Sequence, residues 1–313
     1  MKNNSLPGLT ISSPLFFNAD ETIDYDTLGR YLDDVCANQM ISAVYSMAYN
    51  TRYRMLSDSE VLEVNRFVIR KVKSHGHKVY VGHPYVFTKR SLENYLEEIS
   101  TEMPDGISML YPERYYNIDE PIINFLKAPL KFGLNVVLHE MKLISGFNGE
   151  LVDWPLSLLE KVFEEVPLVA IKEDSKSNAV TYLVLSLSKR YGVHCVLAGG
   201  GKIRAQEFIE QGMSTWLNGS TMFIPHLIDK TYSAFVEGDK DYQDWYLGSI
   251  EKPFFEDVVA TFGWHLAHKA ALEYFGYGER YERFPHAELR DEDYENATKT
   301  FVKIKNAIDT KVN

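Results

Sequence analysis

Eight short β-type runs alternate with amphipathic helical stretches over the first two thirds of this 313-residue chain. The runs are expected near Gly8–Ile11, Ile41–Ser46, Lys78–Gly82, Gly106–Leu110, Leu134–Leu138, Leu168–Ile171, His194–Ala198 and Ser214–Leu217. Leu168-Val169-Ala170-Ile171 is apolar at every position, the pattern of a strand buried on both faces. Between the runs, Leu28, Tyr31, Leu32 and Val35 share one face of a helix over Tyr25–Cys36. Val61, Val64, Phe67, Val68 and Val72 do the same over Asp58–Val72, which Ser57 and Glu60 open with the pattern of a capping box. Such repeats build either a closed (β/α)8 barrel or a doubly wound open sheet. The count of eight and the ~250-residue size of the barrel favour closure. No GxGxxG follows the first strand to support the open dinucleotide-binding sheet. The expected fold class is therefore α/β, a (β/α)8 TIM barrel over residues 1–225. A helical extension over 226–313 packs on it, with helices in this last part of the chain near 221–236, 253–276 and 290–309.

Composition narrows the partners. Thirty-three basic against 44 acidic side chains give a net charge of −11, which argues against a general nucleic-acid or anionic-membrane surface. The two cysteines, Cys36 and Cys195, form no CxxC, and a reducing cytoplasm is the expected location. The start Met1-Lys2-Asn3-Asn4-Ser5 lacks the apolar stretch of a signal peptide, and no apolar run approaches the ~20 residues of a membrane span.

A barrel places its chemistry at the carboxyl ends of its strands. Lys172 stands where the sixth run ends, followed by Glu173-Asp174. Lysine is seldom fully buried, because removing an ammonium from water is costly. One that emerges from a buried strand is a candidate nucleophilic amine, able to form a Schiff base with a carbonyl. His139, followed by Glu140, ends the neighbouring fifth run. His83 ends the third, Tyr111 the fourth, and Gly199-Gly200-Gly201 the seventh. The second run leads into Tyr49-Asn50-Thr51-Arg52-Tyr53-Arg54, a polar, aromatic and basic segment. Two histidines, a lysine and two arginines are thus expected around one mouth.

Several segments carry a resemblance to the dihydrodipicolinate synthase/N-acetylneuraminate lyase family of Schiff-base-forming barrels. Ser13-Pro14-Leu15-Phe16 with Asp20-Glu21-Thr22-Ile23-Asp24 and Leu28 is similar to that family's TPF…DGxIDxxxL opening. Val169-Ala170-Ile171-Lys172-Glu173 resembles its VxGIKE strand, and Leu197-Ala198-Gly199 its LSG strand. Gly212…Leu217-Asn218-Gly219…Pro225 has the spacing of GxxGxISGxANxxP, and Leu56-Ser57…Glu60 falls where the family has LTxxE. The matches run in order from Gly8 to Pro225. The resemblance implies that Lys172 forms the imine and that Ser13, Gly199 and Leu217 border the substrate.

The departures are equally informative. Where the family has a TTGE or STGE loop for the substrate carboxylate, this chain has Tyr49-Asn50-Thr51-Arg52, so the glycine is lost and the acid has become arginine. The tyrosine that ends the family's fifth strand is replaced by His139. The tyrosine lent by a neighbouring subunit has only Pro112-Glu113-Arg114-Tyr115-Tyr116 near its position, in altered register. Gly200-Gly201 replace the acidic pair after LSG. The imine-forming lysine carries over; dihydrodipicolinate synthase and sialic acid lyase activity do not.

The expected function is a Schiff-base lyase of the class I aldolase type, acting on a small 2-oxo acid or related carbonyl compound. A non-catalytic ligand-binding or regulatory barrel is the alternative. Lys172 and His139 are the expected catalytic residues; Ser13, Tyr49, Asn50, Thr51, Arg52, Arg54, Gly199 and Leu217 are expected to bind substrate. His139 is expected to shuttle protons near its ordinary value of about 6.5, its competing reading being a neutral ring tied to Glu140 or the backbone. No metal or organic cofactor is expected: His265, His268 and Glu273 could share a helix face, but no HExxH accompanies them. A small-molecule carbonyl substrate is the expected partner, with neither nucleic acid nor membrane, and the assembly is expected to be a homodimer or homotetramer with Tyr115 and Tyr116 near a neighbouring mouth.

Arg52 generates a prediction at this level. A guanidinium binds a carboxylate through two parallel hydrogen bonds, so Arg52 is expected to supply the anion recognition that the lost Thr-Thr-Gly loop would have given. Arg52→Gln should weaken binding of anionic ligands by ~1.5–3 kcal/mol, measured by calorimetric titration. Unchanged affinity in both Arg52→Gln and Arg54→Gln proteins would exclude it.

Overall fold

The computed structural model describes residues 8–47, 55–84, 88–110, 118–141, 154–198, 201–209 and 211–312. Its centre is one sheet of eight parallel strands in sequence order: β1 (Leu9–Ser12), β2 (Ile41–Ser46), β3 (Val79–Gly82), β4 (Gly106–Leu110), β5 (Val136–Glu140), β6 (Leu168–Glu173), β7 (His194–Leu197) and β8 (Thr215–Trp216). A parallel bridge between Thr10 and Leu217 joins the last strand to the first. Asn218 fastens the seam, its N–H donating to Thr10 O at 2.9 Å and its Oδ1 accepting from Ser12 N at 3.1 Å. The chain is a (β/α)8 TIM barrel, as its alternating pattern leads one to expect.

Around the sheet lie α1 (Tyr25–Cys36), α2 (Asp58–Ser74), α3 (Lys89–Ser100), α4 (Asp119–Leu126), α5 (Leu156–Glu165), α6 (Asn178–Tyr191), α7 (Gly201–Phe208) and α8 (Ile228–Glu237). The capping box of α2 forms as its sequence indicates: Glu60 N donates to Ser57 Oγ at 3.3 Å and Ser57 N to Glu60 Oε2 at 2.8 Å. Trp216 of β8 stacks on Tyr232 of α8 and packs on its Phe235. After the barrel come α9 (Lys240–Tyr246), two π-helical segments (Leu247–Glu251 and Phe254–Val259), α10 (Ala260–Phe262), α11 (Trp264–Tyr274) and α12 (Asp291–Val312). The boundary expected at 225 falls at the short 3-10 turn Pro225–Leu227, between barrel closure and α8. Among the described residues no helix is long and apolar enough to cross a membrane.

Strand alternation splits each strand between two environments. Leu9, Ile11, Val44, Val81, Met109, Leu138, Ile171 and Leu197 join the large core between sheet and helices. Ala43, Tyr45, Tyr80, Val137 and Ala170 form a separate small cluster, the apolar part of the barrel interior. Room there is tight: a Cβ on Gly106 would lie 2.8 Å from Val137 Cγ2 and 3.2 Å from Tyr80 Cδ1. The rest of the interior is polar. Thr10, Ser12, Ser108, His139 and Lys172 are all buried.

The ends of β2 and β3 are tied to the helical shell by one satisfied polar cluster. Fully buried Asn65 of α2 accepts from Ser46 Oγ at 2.8 Å and donates to Gly82 O at 2.9 Å and Tyr95 Oη at 2.8 Å. Tyr95 in turn donates to Gly82 O at 2.8 Å. Gly82 is required by the segment after β2: an added Cβ would stand 2.5 Å from Met47 O. Replacing Asn65 by leucine leaves buried hydrogen-bonding groups without partners. This should cost about 2–3 kcal/mol, against about 1 kcal/mol for Tyr95→Phe, where Asn65 still reaches Gly82. Urea unfolding checks both, and an Asn65→Leu protein as stable as the parent would exclude this account.

Candidate active site

The site rests on one strand pairing. β5 and β6 run parallel with His139 beside Lys172 and Glu140 beside Glu173, after a register irregularity at Val136/Val137. Both strands lie buried under helices, so their apolar positions determine the register; a one-residue slip would turn every side chain to the other face. In this register His139 and Lys172 enter the barrel interior. Glu173 faces the helical shell, where it accepts from Ser175 N at 3.0 Å and lies 3.6 Å from Arg204 of α7.

Lys172 is 3% exposed. Its Nζ lies 2.7 Å from His139 Nε2 and 3.3 Å from Asp174 Oδ2, and His139 Nε2 is 3.7 Å from the same carboxylate oxygen. The Tyr45 ring completes the group: Lys172 Nζ lies 5.9 Å from its centroid, and the His139 ring meets it edge-on at 6.2 Å. Tyr45 Oη is hydrogen-bonded to Ser108 Oγ across the interior. A lysine ammonium has only donors, so Nε2 accepts from it and the neutral imidazole carries its proton on Nδ1. Burial, and next the nearby Lys172 charge, pull His139 down to about 4. Burial works against an ionised Asp174, but the adjacent Lys172 charge opposes it, and the carboxyl is held well below the usual range.

This changes two expectations. His139 is neutral at pH 7 and titrates well below 6.5. It is tied to Lys172 rather than to Glu140, whose carboxylate accepts from Asp174 N at 3.3 Å. His83 does not turn toward the mouth. Beyond Tyr80 and Gly82 it falls on the outward parity of β3, so its ring packs on Phe125 of α4 and its Nδ1 meets Pro84 O at 2.6 Å.

Asp174 and Tyr45 carry no assigned role in the sequence reading. Asp174 had a signal: two residues beyond Lys172 along an extended chain, it returns to the same side. Tyr45 had none beyond its place in a buried strand. Ser13 is buried and joins strand ends, its N–H donating to Tyr45 O at 3.0 Å and its hydroxyl to Pro14 O at 3.2 Å. Leu217 sits at the β1–β8 seam. Tyr49, Asn50, Thr51, Arg52, Arg54 and Gly199 lie outside the described residues, as do Tyr111, Tyr115 and Tyr116. His265, His268 and Glu273 do not converge. Glu273 pairs with Arg280 at 2.6 Å, His268 Nδ1 meets Trp264 O at 2.9 Å, and among the described residues no group of three ligating side chains could hold a metal ion.

No family model matches this chain, and no curated protein matches it in sequence. Solved structures do match. One is a prophage protein belonging to the dihydrodipicolinic acid synthase family from E. coli K12, in complex with pyruvate, at 15% identity and TM-score 0.79 over 96% of this chain and 98% of that one. A second is the 4-hydroxy-tetrahydrodipicolinate synthase of Methylacidiphilum fumariolicum SolV, at 18% identity and TM-score 0.78 over 97% of each chain. A third is CdNal from Clostridium difficile in complex with mannosamine, at 15% identity and TM-score 0.79 over 96% of this chain and 100% of that one. At these identities the likeness is one of fold: this chain has the barrel architecture found in proteins of the dihydrodipicolinate synthase family.

Proposed function

We propose that the protein is a divergent member of the dihydrodipicolinate synthase/N-acetylneuraminate lyase family, a lyase that uses Lys172 to form a Schiff base with a small 2-oxo acid or related carbonyl compound. The observation that carries this reading is the amine of Lys172, buried at the carboxyl end of β6 and in contact with both an imidazole and a carboxylate. A structural lysine at a strand end gains nothing from such a position, since desolvation is costly.

The attacking form is the neutral amine. The proton leaving Nζ has two acceptors in contact, His139 Nε2 and Asp174 Oδ2. Nζ adds to the carbonyl carbon to give a carbinolamine. The oxygen takes up a proton, which His139 is placed to deliver, and departs as water, leaving an iminium. That cation is the electron sink for breaking the adjacent C–C or C–H bond. Asp174 lies where the iminium charge develops and stabilises it, and the dry interior strengthens that interaction.

Reductive trapping tests the reading. Incubation with pyruvate and a panel of other carbonyl compounds plus borohydride should give an adduct by intact mass that maps to the peptide containing Lys172. Equal trapping by Lys172→Ala would refute the lysine assignment. No adduct across the panel would leave the non-catalytic binding barrel.

His139 yields a prediction in pH. Its folded value, about 4, lies below the ordinary 6.5 of an exposed histidine. As pH falls through this window the unfolded chain takes up a proton that the folded site refuses, so stability is full above about 6.5, declines toward about 4 and does not recover below. The contribution is on the order of 3 kcal/mol at most. In His139→Gln, proton uptake on unfolding at pH 5 should fall by about one; buried His83, also lowered, is common to both proteins and cancels. If the proton-shuttle role holds, turnover should drop ~10²–10⁴-fold in His139→Phe. Identical pH profiles of stability in parent and His139→Gln would contradict the buried, neutral imidazole.

A further inference from the structure

Among the described residues, one carboxylate meets the amine of Lys172: Asp174 Oδ2, at 3.3 Å from Nζ and 3.7 Å from His139 Nε2. The neighbouring acids are engaged elsewhere. Glu173 faces Ser175 and Arg204, and Glu140 accepts the backbone N–H of Asp174. Asp174 is itself held in place by that N–H, which also donates to Glu140 O at 3.1 Å. Lys176, which also acts on Asp174, is exposed, and His139 is neutral. Among the described residues, the charge around the amine is therefore a pair, the Lys172 cation and the Asp174 anion.

Imine chemistry makes this pairing selective. Nζ adds to the carbonyl carbon and the oxygen leaves as water. The positive charge that was on the ammonium then resides on the iminium. With an uncharged carbonyl compound, that charge and the Asp174 carboxylate still cancel. With a 2-oxo acid, the substrate carboxylate is bonded to the iminium carbon and must lie within a few ångström of Asp174. Among the described groups, two anions then share one cation around a buried amine, and an uncompensated charge there is disfavoured. Like charges so placed are a means of rejecting a wrong partner.

Resting on the Schiff-base reading above, we propose that Asp174 is a specificity-determining residue that turns the site toward carbonyl compounds with no charge beside the carbonyl, neutral aldehydes and ketones, and away from 2-oxo acids. An anionic group further along the substrate is outside this restriction, because its distance from Asp174 is not set by the imine bond.

Pyruvate and pyruvamide form a matched pair, with the same ketone and either a carboxylate or a neutral amide beside it. Each is incubated with the full-length protein and cyanoborohydride, which delivers hydride to the iminium carbon and leaves a secondary amine on Lys172. The ratio of the two trapping rates cancels differences in amine reactivity common to both. Asp174→Asn should raise pyruvate trapping relative to pyruvamide at least tenfold over the parent, Asp174→Ser should do the same, and Asp174→Glu should keep the parent ratio. Parent and Asp174→Asn ratios that agree within twofold would overturn the proposal, for they would show the substrate carboxylate already compensated by another cation. If the parent gives no adduct with either compound, or the adduct survives in Lys172→Ala, the Schiff-base reading fails and this inference with it. A Lys172 adduct whose selectivity ignores position 174 leaves the reading standing and removes this inference alone.

Discussion

A cation held in the dry interior of a barrel is the constraint to which the rest of this site answers. Lys172 is placed there by the pairing of β5 with β6, and the same pairing sets His139 beside it. Neither strand has freedom to slip, since Val136, Leu138 and Ile171 are committed to the outer core. Once the amine is inside, its partners follow from the cost of leaving it alone. Asp174 supplies the countercharge and His139 an acceptor. An ion pair with one partner buried and the other partly so adds little net stability, but removing Asp174 strands the buried amine. The arrangement is better explained as a chemical device than as a support of the fold.

The fold was almost wholly legible in the chain, and for a simple reason. Apolar runs of strand length and helical faces of period 3.6 are dictated by burial, and α1 (Tyr25–Cys36) and β4 (Gly106–Leu110) lie where their patterns place them. The stretch from Lys240 to Glu251, between the helices expected near 221–236 and 253–276, was not. It mixes Tyr242, Trp245 and Tyr246 with acidic residues, and its π-helical segment Leu247–Glu251 shifts the period that an α-helical template would detect. Within the site, Lys172 and His139 were legible because each terminates a recognisable strand. Asp174 was obscured by lying just past the strand end, where alternation is no longer assured. His83 was misread because strand parity, and not position at a strand end alone, decides which way a side chain points.

The C-terminal part of the chain takes part in shaping the mouth. Buried Lys269 of α11 donates to Leu15 O at 3.0 Å and lies 5.2 Å from the Phe17 ring centroid. Arg283 lies 4.9 Å from the same ring and donates to Glu21 O at 2.6 Å and Met55 O at 3.2 Å, while pairing with Glu60 at 3.0 Å. Two cations thus grip the segment that follows β1, and one of them also reaches the start of α2. The Lys269 bond is buried, where a hydrogen bond from a charged donor is worth ~1.5–3 kcal/mol, and it adds to the hold that core residues Leu15, Phe16 and Phe17 already give this segment. Ser13, at the start of that segment, is held in turn to Tyr45 O of β2.

Identity of 15% to a structure sharing nearly the whole chain shows how little of a barrel's sequence its architecture demands. The outer core asks for apolar volume at the right period, and many sequences satisfy it. Chemistry asks for particular atoms at a few positions, and here those positions differ in kind. An imidazole stands at the end of β5 where the family has a phenol, and a carboxylate lies against the amine. Both groups bear on the charge of the site: the neutral ring adds none, and the Asp174 carboxylate opposes the one that Lys172 brings. Fold likeness therefore carries the frame alone; under the Schiff-base proposal, the choice among carbonyl compounds would follow from the electrostatics of Lys172, His139 and Asp174.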